Sequence, residues 1–231
     1  SITVSSLNCQ SLGNFQKRKD VFQYLPEKKH SIYFLQDTHF TTKSERQIRS
    51  EWGYECIFAS HNSRSRGVAI LCNNNFEFKV KNTIKDSDGN YIILVLNMMG
   101  KNLILVNIYG PNRDEPSFFA EIQNKIEELG LSDIVIAGDW NLVANPHLDY
   151  YNYKHINNPK SQDKVMDMMS DLELADIWRE LNPDLLRYTW RRPNPLQQSR
   201  LDFFLISDSL TTYVKDADIL YGHRSDHSLI C

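Results

Sequence analysis

Two stretches of this chain, Ile104-Leu105-Val106 and Ile134-Val135-Ile136, are apolar at every consecutive position and mostly β-branched. A strand sends successive side chains to opposite faces, so a run without polar alternation has to be covered on both sides. Further strand-like runs are predicted over 2–7, 31–35, 54–59, 67–72, 76–84, 91–98, 102–109, 133–137, 200–206 and 214–221. Helical spacing intervenes. Residues 15–28 place Phe15, Val21, Phe22 and Leu25 on one face, and residues 163–174 carry Val165, Met168, Met169 and Leu172. Pro116 opens a third helix with Phe118, Phe119, Ile122, Ile126 and Leu129, for which Asp114 is the expected N-cap. The middle of the chain is a meander of strands with no helices between them. That disfavours a plain doubly wound sheet and predicts an α/β structure of two packed sheets with helices outside.

With 231 residues, 41% of them hydrophobic and none in repeats, the chain suits a single domain, 1–231, with a sizeable core. No apolar run reaches bilayer length and no signal peptide opens the sequence, so no membrane partner is expected. The start at Ser1 and the end at Cys231 just after a strand-like run predict a domain excised from a longer protein. Cys9, Cys56, Cys72 and Cys231 have no paired or zinc-like spacing, which predicts buried thiols in a reducing, intracellular setting. The net charge of −3 does not single out a nucleic-acid binder, but its distribution is uneven. Residues 187–200 hold Arg187, Arg191, Arg192 and Arg200 without an acid, and residues 60–75 hold Arg64 and Arg66, again without one. Positive segments beside carboxylate-rich ones fit a chain that holds phosphate and metal together, and also fit solvated loops.

The informative residues stand where strands stop. One run ends at Asn8, another at Gln36-Asp37-Thr38-His39, and others at Tyr109-Gly110-Pro111-Asn112, Gly138-Asp139-Trp140-Asn141 and Ser225-Asp226-His227. Each ending alone reads equally as a turn with a carboxylate bonded to backbone amides. Repeated five times in one chain, they read as side chains aimed by rigid strands into one crevice. The residue types suit phosphodiester hydrolysis, which needs a hard cation, a base for water and stabilisation of charge on the phosphorus. Oxygen ligands such as Asn8 and Asp37 suit Mg²⁺; Asp139 with Asn141 can orient and deprotonate water; His227 can donate to a phosphate.

Taken in order, the motifs Ser6-Leu7-Asn8, Leu35-Gln36-Asp37-Thr38-His39, Asn107-Ile108-Tyr109-Gly110-Pro111, Gly138-Asp139-Trp140-Asn141, Tyr188-Thr189-Trp190, Ser199-Arg200-Leu201-Asp202-Phe203 and Ser225-Asp226-His227 span nearly the whole chain. The set resembles the exonuclease–endonuclease–phosphatase superfamily, and within it the endonuclease domain of LINE-type (non-LTR) retrotransposons. The resemblance implies a DNase I-like four-layer α/β sandwich of two mixed β-sheets flanked by helices. It implies that Asn8 and Asp37 hold Mg²⁺ (Mn²⁺ as a substitute), that Tyr109 and Asn141 contact the scissile phosphate, and that Asp139 activates water. His227 would stabilise or protonate the transition state, oriented by Asp202, with Asp226 supporting the metal side. The superfamily usually carries Glu where this chain has Asp37. A side chain one methylene shorter needs either a closer backbone or a bridging water.

Substrate class is read from the rim. Inositol-phosphate enzymes of the superfamily carry Pro-x-Trp-x-Asp-Arg before the final Ser-Asp-His, whereas this chain has Ser199-Arg200-Leu201-Asp202-Phe203. Abasic-site enzymes tend to place Trp before that Arg, where Ser199 stands here, and the secreted DNase I-like enzymes are disulfide-bonded. Residues 190–199 resemble the protruding hairpin of retrotransposon endonucleases, which enters the minor groove. The resemblance therefore implies contacts to double-stranded DNA from Thr189, Arg191, Arg192, Arg64, Ser225 and Asn112. Tyr150, Tyr151 and Tyr153 are expected either to stack on sugars or to pack. The expected activity is nicking of one strand of duplex DNA. The resulting 3′-hydroxyl would prime a reverse transcriptase domain of the same full-length chain, made in the cytoplasm and acting in the nucleus. The alternatives are an abasic-site repair endonuclease and a catalytically weakened DNA-binding module.

Overall fold

The computed structural model describes residues 1–74 and 77–231. In chain order the first elements are β1 (Val4–Asn8), α1 (Phe15–Glu27), β2 (Ile32–Gln36), α2 (Glu45–Trp52), β3 (Cys56–Ala59), β4 (Val68–Cys72), β5 (Lys79–Lys85), β6 (Tyr91–Met98) and β7 (Lys101–Tyr109). There follow α3 (Pro116–Glu128), β8 (Ile134–Asp139), β9 (Tyr150–Tyr151), α4 (Pro159–Asp171), β10 (Leu174–Asp176) and α5 (Ile177–Leu181). The last are β11 (Trp190–Arg192), β12 (Gln197–Ser199), β13 (Asp202–Ser207), β14 (Ile219–Leu220) and β15 (Leu229–Ile230).

Strand β6 shows how the layers arise. Its Tyr91, Ile93 and Val95 pack into one core with Phe119, Ile122 and Ile126 of α3 and Val165 and Met168 of α4. The alternate residues Ile92, Leu94 and Leu96 enter a second core, against Phe34, Ile57, Val68 and Ile70 of the other sheet. A third core lies on the far side of that other sheet, where Tyr33, Leu35, Ala69 and Leu71 meet Val21, Leu25, Ile48 and Trp52 of α1 and α2. The result is the expected four-layer arrangement, helices–sheet–sheet–helices. One six-stranded sheet has the order β14-β15-β1-β2-β4-β3 and the other β10-β13-β8-β7-β6-β5. Both are mixed, because β1 and β2 run parallel, as do β7 and β8, while the other pairs are antiparallel.

Several expected boundaries move. The strand expected over 214–221 shrinks to Ile219–Leu220, because Asp216 and Asp218 turn back to accept from the amides of Ala217 and Ile219. Such local side-chain bonds offer the backbone an alternative to a ladder. The run expected over 76–84 begins at Phe76, outside the described residues, and its described strand is Lys79–Lys85. Phe15 is 58% exposed, and the buried face of α1 is Arg18, Val21 and Leu25. Asp114 does not cap α3; its carboxylate accepts from the amides of Lys160 and Ser161, in the first turn of α4. That helix starts at Pro159, and Leu174, expected at its end, begins β10. The four cysteines are free, with Cys9, Cys56 and Cys72 buried.

Two polar side chains lie between the sheets with no exposure at all. Gln36 of β2 donates to Asn107 of β7 at 2.9 Å, and Asn107 donates back to the carbonyls of Leu35 and Ala69 at 3.1 and 2.8 Å. Asn107 thus pins one sheet against the other. Asn107→Ala should remove all three of these bonds from the buried seam, leaving Gln36 only its bond to Ser6, and lower unfolding free energy by about 1–3 kcal/mol, read as a lower urea midpoint. An unchanged midpoint would remove the pin.

Candidate active site

Strand register brings the polar endings together. Asn8 sits beside Gln36 at the end of parallel β1 and β2. In the other sheet Tyr109 sits beside Asp139 at the end of parallel β7 and β8, and Asp202 of antiparallel β13 is directly opposite Asp139. The two sets meet across the gap between sheets, where the Asn8 side-chain amide donates to Asp139 Oδ2 at 2.8 Å. His227 arrives just before β15, which pairs with β1, and its backbone bridges to Trp190. Behind Asp139, Trp140 is wholly buried, stacked on Phe203 at 4.8 Å, with its indole N–H donating to the Phe203 carbonyl. Gly110 has to be glycine, since a Cβ there would come within 2.1 Å of the Trp140 carbonyl oxygen. This close approach lets the Asn141 side-chain amide donate to the Gly110 carbonyl at 2.6 Å, while its backbone N–H donates to Asp139 Oδ1 at 3.0 Å.

The electrostatics centre on His227. Its Nδ1 bonds Asp202 Oδ2 at 2.8 Å, and Nε2 stands 3.7 Å from Asp139 Oδ2 and 3.8 Å from Asp226 Oδ1. Burial by itself would lower the imidazole pKa, but Asp202 and Asp139 outweigh it and push it up to about 10. The imidazole is thereby biased toward its cationic form, with Nε2 the ring nitrogen nearer Asp139. Asp139 is buried, which pushes its carboxyl up to about 7, and the neighbouring His227 offsets only part of that. Burial, with Asp37 and Asp139 nearby, also holds the Tyr109 phenol well above its ordinary value, so it remains a donor.

These groups open onto a cavity of about 480 Å³ lined by Asn8, Asp37, Tyr109, Asn112, Asp139, Asn141, Asp226 and His227, all expected from the sequence. Asp37 stands in the left-handed region (φ 53°), and its Oδ1 bonds His39 Nε2 at 2.7 Å. The donor set fits a hard divalent cation. The carboxylates and amide oxygens around the cavity are of the type such ions prefer, and no thiol lines it. Asp139, Asp202 and His227 also place ligand atoms within 4.8 Å of one another, a potential metal-binding cluster. Asp202 Oδ1 is buried with no hydrogen-bond partner.

Other expectations change. Thr189, expected to contact DNA, is buried, donating to Asp202 at 2.6 Å and accepting from the amides of Leu201 and Asp202. The hydroxyl of Ser225 is likewise committed, donating to the Asn8 carbonyl and accepting from the His227 amide. Arg200 leaves the positive patch altogether, wholly buried and ion-paired with Asp149 at 2.8 Å and with Asp176. Arg187 is paired with Asp218. Arg191 and Arg192 are exposed on β11, in the hairpin it forms with β12, while Arg64 lies exposed on a turn around Asn62, outside the cavity. β9 extends the hairpin to three strands, so Tyr150 and Tyr151 brace it. Two contributors were missed. Gln10 accepts from the Asp226 amide, and the Trp190 indole donates to Asp226 Oδ2, both at the cavity rim. Gln10 stands two residues past a strand end, the position at which Asn141 was recognised.

The sequence pattern of the Endonuclease/Exonuclease/phosphatase family matches residues 5–227. The chain is 26% identical over 239 residues to the Transposon TX1 uncharacterized 149 kDa protein of Xenopus laevis, covering all of this chain but only 18% of that protein. Among solved structures it superposes on the AP endonuclease LMAP of Leishmania major with a TM-score of 0.85 at 17% identity, covering 99% of this chain and 86% of that one. It also superposes on the endonuclease domain of TRAS1, a telomere-specific non-LTR retrotransposon, with a TM-score of 0.72 at 15% identity, covering 100% and 96%.

Asp139 and His227 each bind their proton more tightly folded than at their ordinary values of 3.8 and 6.5. The stability they confer is full below those values and lost as pH rises, through about 7 for Asp139 and about 10 for His227. In chelator-containing buffer, Asp139→Asn should therefore melt about 2–4 °C above wild type at pH 8, the shift about 1 kcal/mol gives in a domain this size. The gain should vanish near pH 4. A gain independent of pH would show that the carboxyl is not the strained group.

Proposed function

The chain belongs to the Endonuclease/Exonuclease/phosphatase family, and on that basis we propose that it is a divalent-metal-dependent endonuclease nicking one strand of duplex DNA. The observation that carries this reading is the buried His227, held by Asp202 at 2.8 Å with Nε2 3.7 Å from Asp139 on the wall of one open cavity. A scissile phosphate in that cavity would meet a cationic donor and a base side by side. Asp139, buried and steadied by the Asn8 and Asn141 bonds, takes the proton of the attacking water; its raised pKa suits a base working near neutrality. His227 Nε2–H and the un-ionised Tyr109 phenol donate to the non-bridging phosphate oxygens as charge builds on them. The water oxygen bonds to phosphorus as the bond from phosphorus to the 3′ oxygen breaks, and the departing oxygen takes a proton from solvent, leaving a 3′-hydroxyl and a 5′-phosphate. Asn8, Asp37 and Asp226 are the residues to hold the cation, with Mg²⁺ the natural ion and Mn²⁺ a substitute. When bound, it supplies positive charge against the phosphate and the departing oxygen.

The biological setting we favour is a retrotransposon, where the 3′-hydroxyl would prime a reverse transcriptase elsewhere in the full-length protein, acting in the nucleus. The relative in Xenopus laevis carries a transposon name and extends far beyond the matched region, and the TRAS1 endonuclease shares the fold. The abasic-site reading has the Leishmania major enzyme in its favour, but that likeness is one of fold. Ser199, buried at the end of β12, offers no aromatic wall beside Arg200 for a baseless sugar. The geometry of the His227–Asp202 pair argues against a weakened binding module.

Purified protein with Mg²⁺ should convert supercoiled plasmid to open circles, and a chelator should stop it. His227→Ala and Asp139→Ala should each slow nicking by about 10²–10⁴-fold. Nicking at the wild-type rate in both would overturn the mechanism, and a wild type that binds duplex without nicking would favour the binding module. In parallel, cleavage of an abasic duplex should be no faster than that of an intact one. A preference of two or more orders of magnitude for the abasic site would transfer the assignment to repair.

A further inference from the structure

The hairpin of β11 and β12 has two faces, and only one of them belongs to the catalytic cavity. Trp190 and its cross-strand partner Ser199 line that cavity. The next pair, Arg191 and Gln198, points to the opposite face, as alternation along a strand requires. There they line a second cavity, of about 260 Å³, with Leu186, Arg187, Tyr188, Leu220, Tyr221 and Ser228. Chain alternation repeats the division just before β15, where His227 faces the first cavity and Ser228 the second.

The two cavities differ in chemistry. The first is lined by Asp37, Asp139 and Asp226, whereas among the described residues no carboxylate lines the second. Arg187 is anchored through Asp218 and the Ile219 carbonyl, which fixes its guanidinium at the rim. Arg191 is exposed and has no hydrogen-bond or ion-pair partner among the described residues. Tyr221 presents a ring that is 89% exposed on a backbone held firmly in place. Its carbonyl accepts from the Tyr24 hydroxyl at 3.0 Å, and the following Gly222 packs so tightly on His227 that a Cβ would lie 1.8 Å from the His227 carbonyl oxygen. One anchored guanidinium, Arg187, and one free one, Arg191, beside an exposed phenol ring suit a sugar–phosphate backbone, with the arginines on phosphate and the ring against sugar.

We propose that this second cavity holds the phosphodiester backbone of the uncut DNA strand, so that the hairpin stands between the two strands of the duplex. The inference rests on the endonuclease reading, which places the cut strand in the first cavity. A blade with the cut strand on its acidic face leaves the other strand for its basic face. The two arginines then have separate tasks: Arg191 grips the uncut strand, and Arg192, one residue nearer the hairpin tip, enters the groove.

The test uses the double variant Arg191→Gln/Tyr221→Ala, whose side chains are exposed and lie outside the cavity that cuts. Binding to a duplex oligonucleotide and to the isolated cut strand would be measured by fluorescence anisotropy across a salt series in Ca²⁺ buffer, and hydrolysis of bis(p-nitrophenyl) phosphate would be followed with Mg²⁺. The variant should bind duplex about tenfold more weakly, with a salt slope shallower by about one, the share of one lost phosphate contact. Binding to the single strand and hydrolysis of the small diester should stay at wild-type level. Equal loss on duplex and single strand would assign the cavity to the cut strand and overturn the proposal, as would unchanged duplex binding. A wild type that neither binds nor nicks duplex would instead remove the endonuclease reading, and the variant comparison keeps the two failures apart.

Discussion

The bond between His227 and Asp202 joins two different sheets. Asp202 starts β13 in one, and His227 leads into β15 in the other. The Asn8–Asp139 bond crosses the same gap. The site is thus a seam, and its geometry is only as good as the stacking of the sheets. That stacking is fixed one step deeper by Gln36 and Asn107, a polar pair amid the apolar inter-sheet core. Hydrophobic contact alone is non-directional and tolerates sliding of one layer over another. Directional bonds between Gln36, Asn107 and the strand carbonyls do not, which gives a physical reason for accepting buried amides so close to the reacting groups.

Burial also sets the charges. In water the imidazole and carboxylates of this cluster would titrate near their ordinary values. In the seam, desolvation works against each charge, and the result depends on which partners are close enough to overcome it. His227 has Asp202 in contact and Asp139 near, which favours its cationic form; for Asp139, His227 and the bonds from Asn8 and Asn141 offset only part of the burial, so its carboxyl is held high. Two neighbouring groups in the seam acquire opposite tendencies, a donor and a base, from position and not from residue type.

What the sequence disclosed follows the same logic. Asn8, Tyr109, Asp139 and His227 were legible because each ends or precedes an apolar run, and register alone then gathers them. The inner strands were legible for a similar reason, since the first six residues of β6 are apolar and buried on both faces. What stayed hidden depends on partners distant in sequence. Arg200 looks like one more arginine in a basic stretch until Asp149 and Asp176, far upstream, close around it. Asp114 stands two residues before a proline-led helix yet caps a different one, because α3 and α4 pack side by side and the first turn of α4 comes within reach. Short strands such as β9 and β10 carry too few residues to show any period.

Thr189 is the most instructive of these. It precedes the basic hairpin, so a DNA-facing role is expected from its neighbours; in the fold it is buried and donates to the same Asp202 oxygen that the His227 ring bonds. One buried carboxylate oxygen, Asp202 Oδ2, thereby accepts from both the root of the hairpin and the catalytic imidazole. The next residue, Trp190, bridges to the His227 backbone and donates to Asp226. Hairpin and histidine are consequently parts of one hydrogen-bonded frame. A hairpin hinged freely on a loop could contact DNA in many poses, and the scissile phosphate would reach Asp139 in few of them. A hairpin rooted on the same carboxylate that orients His227 leaves little angular freedom between the surface that grips the duplex and the groups that cut it, and precision of this kind is what positioning contributes to catalysis.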